Sequence, residues 1–449
     1  MKKTTVMTAV LCAAALIVTV CGVFLLVSLS AYSGAGEING WDMMFMMPGS
    51  ALSVAAAALL LTDCACIALA AVLIVSYIRT GRALKNNVEK KPERFSRLMK
   101  IDREGVSGKT AYNDRTDLSS FCDGFRDFAA ADMGLYYDKS VIRSYVAGMA
   151  CTHLIILQGI SGTGKTSLPF AFGKYVCRDA AVTPVQPGWK DRSDLLGYYN
   201  EFTDSYTETE LLCKLYEADL CDDVFTVVLD EMNIARVEYY FAEFLSLLEL
   251  PDGPDRRVRV TADSRDNDPA LFENGDLRLS DNVWFVGTAN NDDSTLAISD
   301  KVYDRAFVIE LNGRCRPFTA NGSGRSHVSA SRLKEMFREA TLNNPMSERI
   351  RVIFEQTDAY LTEHFGISAG NRVIRQAERF IPVFTACGGT EDEAADILIC
   401  RKILRRLENI NPVYCRDGAD GLIRFLNGVF GGYAPENSVN YVRRFKAVN

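Results

Sequence analysis

Two long apolar stretches open the chain, and beyond residue 103 short apolar runs alternate with amphipathic helical patterns. Residues 6–29 are apolar except for Thr8, Thr19 and Ser28, long enough for the about 20 residues a helix needs to cross a bilayer. Residues 51–78 form a second such stretch, with Asp63 as its one charge. Between them, residues 30–50 hold Glu37 and Asp42 but no Lys or Arg. Lys2 and Lys3 precede the first stretch, and Arg79, Arg82, Lys85, Lys90 and Lys91 follow the second. The positive-inside rule then predicts a transmembrane hairpin over 1–80 with both termini cytosolic. The alternative for the first stretch is a leader cut near Ser30, which leaves the second span in place. Asp63 reads either as an interhelical contact or as a protonated or interfacial acid. The Met43-Met44-Phe45-Met46-Met47 run reads as an apolar loop on the lipid rather than a soft-metal site.

Residues 79–103 carry nine basic and three acidic side chains, so 81–130 is expected as a basic linker and lead-in. Further on, 154–157 and 283–286 are unbroken apolar runs of strand length and 224–229 is interrupted only by Thr226, the signature of strands buried on both faces. Tyr240, Phe241, Phe244, Leu245 and Leu248 recur at helical spacing and predict a core-facing helix over 237–250, and 373–384 predicts another. The expected organisation is a nucleotide-binding core over 131–345 followed by a helical region over 346–449.

Composition narrows the function classes. The 449 residues suit about three folding units, and 48% hydrophobic content with near-zero mean hydropathy excludes a disordered chain. Residues 104–449 hold 39 basic and 51 acidic residues, a formal −12, which argues against a broad basic surface for non-specific nucleic-acid binding. The 13 cysteines are odd in number, scattered and without a CxxC pair, and His153, His327 and His364 are the only histidines. That pattern excludes a disulfide framework and a structural zinc site, leaving reduced thiols.

The sharpest chemistry follows the first short strand. Gly159-Ile160-Ser161-Gly162-Thr163-Gly164-Lys165-Thr166, with Ser167 opening a helix, fits GxxxxGK[ST] in its required strand-before, helix-after setting. The glycines let backbone N–H groups turn toward phosphate oxygens. Lys165 supplies a point charge to the β- and γ-phosphates, and Thr166 a hydroxyl to Mg²⁺. The run 224–229 ends in Asp230-Glu231, placing Asp230 for the Mg²⁺ shell and Glu231 to take the proton from an attacking water. The third run ends in Asn290-Asn291, and an amide there can position that water; Asn290 is the first candidate and Asn291 the reserve. Arg305 precedes another apolar run, and Gly370-Asn371-Arg372 precedes a helix.

This order of motifs resembles the AAA+ ATPases, in particular the dynein-related branch with MoxR-like proteins and McrB-type restriction GTPases. The likeness rests on Leu229-Asp230-Glu231-Met232-Asn233, Gly287-Thr288-Ala289-Asn290, residues 300–307 and residues 185–200. It implies an α/β fold: a five-stranded P-loop parallel sheet with helices on both faces plus a helical lid, here preceded by two transmembrane helices. It further implies a homo-oligomeric ring, a hexamer in such proteins, with Arg305 as a finger reaching the neighbour's nucleotide and Arg372 as a late sensor. ATP is the expected nucleotide, with GTP as the restriction relatives' alternative. The expected role is a membrane-anchored, multi-pass ATPase remodelling a protein partner. The alternative is a nucleic-acid defence motor working with a separate nuclease. A single Arg305 flanked by Asp304 and Ala306 departs from the arginine-richer McrB-like text. Trp189, Tyr198 and Tyr199 read as a packed surface turn or as a grip on a substrate polymer. Arg256, Arg257 and Arg259 read as a basic patch on a projecting hairpin.

Overall fold

The computed structural model describes residues 93–447 apart from 107–110, 291–294, 314 and 323, together with Ala68, 71–72, 74–76 and Arg79, which are helical. Met1–Pro92 and Glu93–Asn449 form separate compact units, and the second carries the fold described below.

Five parallel strands make its centre: β1 (Leu154–Gly159), β2 (Ala181–Pro184), β5 (Phe225–Asp230), β8 (Val283–Asn290) and β9 (Phe307–Glu310), in the order β2-β5-β8-β1-β9. Two antiparallel hairpins stand apart from it, β3 (Gly197–Asn200) with β4 (Ser205–Glu208), and β6 (Arg257–Arg259) with β7 (Asp276–Arg278). The middle strands β1, β5 and β8 are mostly apolar and buried because successive side chains point to opposite faces and both faces are covered, whereas the edge strand β2 is partly exposed. Ile155, Leu157, Trp284, Val286, Phe307 and Ile309 join one buried cluster. Their neighbours Leu154, Ile156, Val283, Phe285 and Val308 join the other.

Helices α1 (Ser96–Glu104), α2 (Leu118–Met133), α3 (Lys139–Cys151) and α4 (Ser167–Tyr175) come early in the chain. The stretch expected as linker and lead-in therefore contains two helices. Asp117 caps α2 by accepting from the Ser120 N–H, and the helix buries Phe121, Phe125 and Phe128 in the first cluster. The second face is covered by α1, α5 (Ser193–Leu196), α6 (Glu210–Ala218), α7 (Val237–Tyr240) and α8 (Ala242–Leu247). Helix α9 (Asp300–Arg305) leads into β9. Everything after Ser329 is helical in character, from α10 (Ala330–Asn343), α11 (Glu348–Phe365), α12 (Asn371–Ala386) and α13 (Glu391–Leu398) to α14 (Pro412–Phe430) and α15 (Glu436–Ala447). This region continues the first core: Phe380 of α12 stacks on Phe307 of β9 at 4.7 Å.

The membrane-anchor expectation needs correction. Among the described residues no helix is long and apolar enough to cross a membrane. The longest described helix, α14, carries Arg416, Asp417, Asp420 and Arg424 along its 19 residues. The two expected spans, 6–29 and 51–78, lie outside the described residues except for the few helical positions named above, and so do Asp63 and the methionine run. Two transmembrane helices preceding the sheet, a multi-pass location, cytosolic termini and the membrane as a partner are accordingly withdrawn, and with them the membrane-anchored remodelling role.

One glycine shows how tightly the sheet is packed behind the site. A Cβ on Gly287 of β8 would lie 1.9 Å from the buried Met232 sulfur and 2.8 Å from its Cε. Gly287→Ala is expected to destabilise the fold by about 1–3 kcal/mol through overpacking, measured as a lower urea midpoint. An unchanged midpoint would mean that Met232 finds another rotamer at no cost.

Candidate nucleotide site and the basic cleft

The C-terminal ends of β1, β5 and β8 converge, as parallel strands in one sheet must, and each delivers a polar tip. The loop over 159–166 leaves β1 with Gly162 at φ 78° and Gly164 at φ 89°, conformations that suit glycine and turn backbone N–H groups inward. Gly159 is also fixed by space, since a Cβ there would sit 2.3 Å from the Leu311 carbonyl oxygen. The Tyr137 hydroxyl donates to the Gly164 carbonyl at 3.0 Å and braces the loop from the first core. Burial pushes that phenol well above its ordinary pKa, so it remains a donor.

Lys165 is buried in the loop, its ammonium donating to the carbonyls of Gly159 at 3.0 Å and Ile160 at 2.7 Å. Thr166 donates its hydroxyl to Asp230 Oδ1 at 2.6 Å, and Thr288 donates to the same oxygen at 2.7 Å. Thr288 in turn accepts from the Glu231 N–H at 2.8 Å. Glu231 sits at φ 53°, ψ 46°, an uncommon left-handed conformation for a residue with a side chain, and is exposed. No described side chain holds its carboxylate. Asn290 pairs in register with Gly159 across β1 and β8, which sets it beside the start of the phosphate loop. Its carbonyl is tied by Asn233 Nδ2 and Thr295 Oγ1, each at 3.0 Å. Asn291 lies outside the described residues.

The fold thus gathers Gly159, Ser161, Gly162, Thr163, Gly164, Lys165, Thr166, Ser167, Asp230, Glu231 and Asn290 at one edge of the sheet. Sequence reading missed Thr288, Asn233 and Tyr137. Thr288 was the most accessible of these: two residues before Asn290 in a strand, it shares that residue's face. The donor set fits the groups the motif implies. A threonine hydroxyl and a carboxylate oxygen meeting at 2.6 Å are the hard oxygen ligands Mg²⁺ prefers, and the glycine cradle leaves backbone donors for phosphate.

The two arginines lie elsewhere. Arg305 ends α9 just before β9, its carbonyl accepting from Thr152 Oγ1 at 2.8 Å immediately before β1 begins. It therefore stands at the N-terminal edge of the sheet, separated from its own phosphate loop by the six-residue length of β1, about 17–20 Å. Arg372, in the first turn of α12, is at the same edge. Arg305 Nε and Arg372 Nη2 meet one oxygen, Glu249 Oε1, at 2.9 and 2.8 Å. They open onto a cleft of about 830 Å³ lined by six Arg or Lys side chains and three carboxylates, so its charge is opposite to the chain's −7. Helix α9 is anchored from the far side. Buried Lys402 donates to the carbonyls of Tyr303 and Ala306, and burial lowers its ammonium pKa to about 8.

The other candidates resolve differently. Arg256, Arg257 and Arg259 do lie on a hairpin, but each faces a carboxylate, of Asp252, Glu273 and Asp276 respectively. Val258 and Leu277 plug that hairpin into the second core, so it offers no free basic patch. Trp189 packs edge-on against Tyr240 at 5.4 Å, and the Tyr199 hydroxyl donates to Asp204. Tyr198 and Phe202 on the β3–β4 hairpin are exposed.

No family model and no curated protein matches the chain. Among solved structures it is similar to a Cytophaga hutchinsonii protein assigned as an ATPase, at 14% identity and TM-score 0.45, over 68% of this chain and 96% of that one. It is also similar to a full-length MCM homolog from Methanopyrus kandleri, at 12% identity and TM-score 0.37, over 65% of this chain and 62% of that one.

Proposed function

We propose that this chain is a nucleoside triphosphatase, ATP being the preferred substrate, whose complete sites form between subunits of a ring. The observation that carries the reading is the split of the candidate residues between opposite edges of one sheet. The phosphate loop, Asp230, Glu231 and Asn290 occupy one edge, Arg305 and Arg372 the other. An arginine that cannot reach its own phosphate loop can reach that of a neighbouring copy, and a closed ring satisfies every such contact head to tail.

Within this reading each residue has a task. Backbone N–H groups over 159–166 and the Lys165 ammonium hold the phosphates, Lys165 leaving the carbonyls of Gly159 and Ile160 to do so. Thr166 and Asp230 would hold Mg²⁺, which when bound neutralises phosphate charge. Glu231, kept at the strand tip by its N–H bond to Thr288, takes the proton from the attacking water. The Asn290 amide orients that water. Arg305 of the adjacent subunit meets the charge developing on the transferred phosphate.

The test is the concentration dependence of hydrolysis. Specific activity of the purified full chain should rise with protein concentration and level off where sedimentation shows a closed oligomer. A specific activity that stays constant down to the monomer would overturn the shared site.

A further inference from the structure

We propose that Glu249 is the positioning residue that gathers Arg305 and Arg372 into one two-arginine fork aimed at the phosphates held by the adjacent subunit. The proposal rests on the shared-site reading above. Glu249 lies just after α8, Arg305 ends α9 and Arg372 begins α12, so three separate elements converge on a single carboxylate oxygen. Without that carboxylate the two guanidiniums would repel each other and turn toward solvent.

The atoms used matter. Glu249 Oε1 lies 2.9 Å from Arg305 Nε, an ion pair at the inner end of the guanidinium rather than a directed hydrogen bond. From Arg372 it takes a single terminal nitrogen, leaving the other donors outward. The other two carboxylates of the cleft are engaged elsewhere. Asp252 is held by His153 and Arg256, and the His153 hydrogen bond above all lowers its pKa to about 2. Asp304 faces Arg406 at 3.4 Å. Arg375 and Arg379 continue the exposed stripe of Arg372 along α12 at helical spacing and meet no described carboxylate. The surplus positive charge therefore collects where Glu249 orders it, which suits a polyphosphate.

An ordinary surface ion pair between the same residues would contribute little and would not act across subunits. Glu249→Gln preserves shape and removes the charge. Turnover should fall by about 10–100-fold, since a misplaced catalytic group costs about that much, with KM for ATP nearly unchanged because the phosphate loop is intact. Glu249→Asp should recover most of the loss. The deciding measurement mixes full-length Glu249→Gln subunits with Lys165→Ala subunits in equal amounts, co-assembly being verified with two affinity tags. Lys165→Ala subunits contribute an intact fork, so activity should climb toward that of the roughly one quarter of interfaces left whole by random mixing. The same mixture made with Arg305→Ala is run in parallel. If the Arg305→Ala mixture recovers and the Glu249→Gln mixture does not, Glu249 acts inside its own subunit and the proposal falls while the shared site stands. If neither recovers despite co-assembly, the shared site itself is overturned. Unchanged turnover in Glu249→Gln also ends the proposal. If Glu249→Gln fails to fold by circular dichroism, Glu249→Ala with the same mixing takes its place, and failure of both marks Glu249 as a structural ion-pair residue.

Discussion

Lys165→Ala should lose nucleotide affinity by about two orders of magnitude, whereas Glu231→Gln should bind ATP within about threefold of the parent chain and turn it over about 10²–10⁴-fold more slowly. The contrast follows from where the two side chains sit. The Lys165 ammonium is buried against two loop carbonyls, so the charge is already desolvated and within the phosphate cradle before nucleotide arrives. Removing it deletes charge-assisted bonds to phosphate that exist in the bound ground state and affect affinity first. Glu231 holds nothing in the described structure. Its N–H is used by Thr288, its backbone is in a strained left-handed conformation and its carboxylate points into the open. Such a group matters when a proton moves, and its amide keeps the size without the basicity. Isothermal calorimetry for binding and phosphate release for turnover separate the two. Equal loss of affinity in both variants would remove Glu231 from the proton-transfer role.

How far the sequence reached depended on whether a feature is local in the chain. The three apolar strands and the turns that end them are contiguous, and parallel strands buried on both faces leave no amphipathic ambiguity, so their polar tips could be named directly. The helix over 118–133 was harder to see, because it adjoins a charged stretch. Its Phe121, Phe125 and Phe128 make sense only against Phe172 and Tyr175 of α4. The arginines of β6 and its approach illustrate the opposite failure. Three in five residues read as a patch, yet their charges are cancelled by Asp252, Glu273 and Asp276, carboxylates brought in by pairing rather than by spacing. Glu249 carried no signal at all in one dimension. Its meaning arises from α9 and α12 meeting at the edge where it lies, which is a property of the tertiary fold.

Arg305→Ala is expected to lower turnover by about 10³–10⁵-fold with ATP binding retained, the range by which arginine fingers accelerate phosphoryl transfer. The guanidinium stands one strand length from its own phosphate loop, so in an isolated subunit it could contribute nothing. It is nevertheless held in place from three sides. Glu249 pairs with its guanidinium, while Thr152 holds its backbone carbonyl and Lys402 ties down the end of its helix. Ordering a long cationic side chain costs conformational entropy, and a surface ion pair gives little in return. The proposed role at a neighbouring site would account for pairing it with Glu249. Arg305→Lys separates charge from geometry, because an ammonium cannot pair with Glu249 through one nitrogen and also present two others in a planar fork. Its turnover should remain closer to that of Arg305→Ala than to the parent. Single-turnover measurements with pre-bound ATP place the loss in the chemical step. Near-normal turnover in Arg305→Ala would reduce Arg305 to an ion-pair residue of the cleft and return the search for the finger to Arg375 and Arg379. A full recovery in Arg305→Lys would leave bulk positive charge, rather than a guanidinium, as the requirement at that edge.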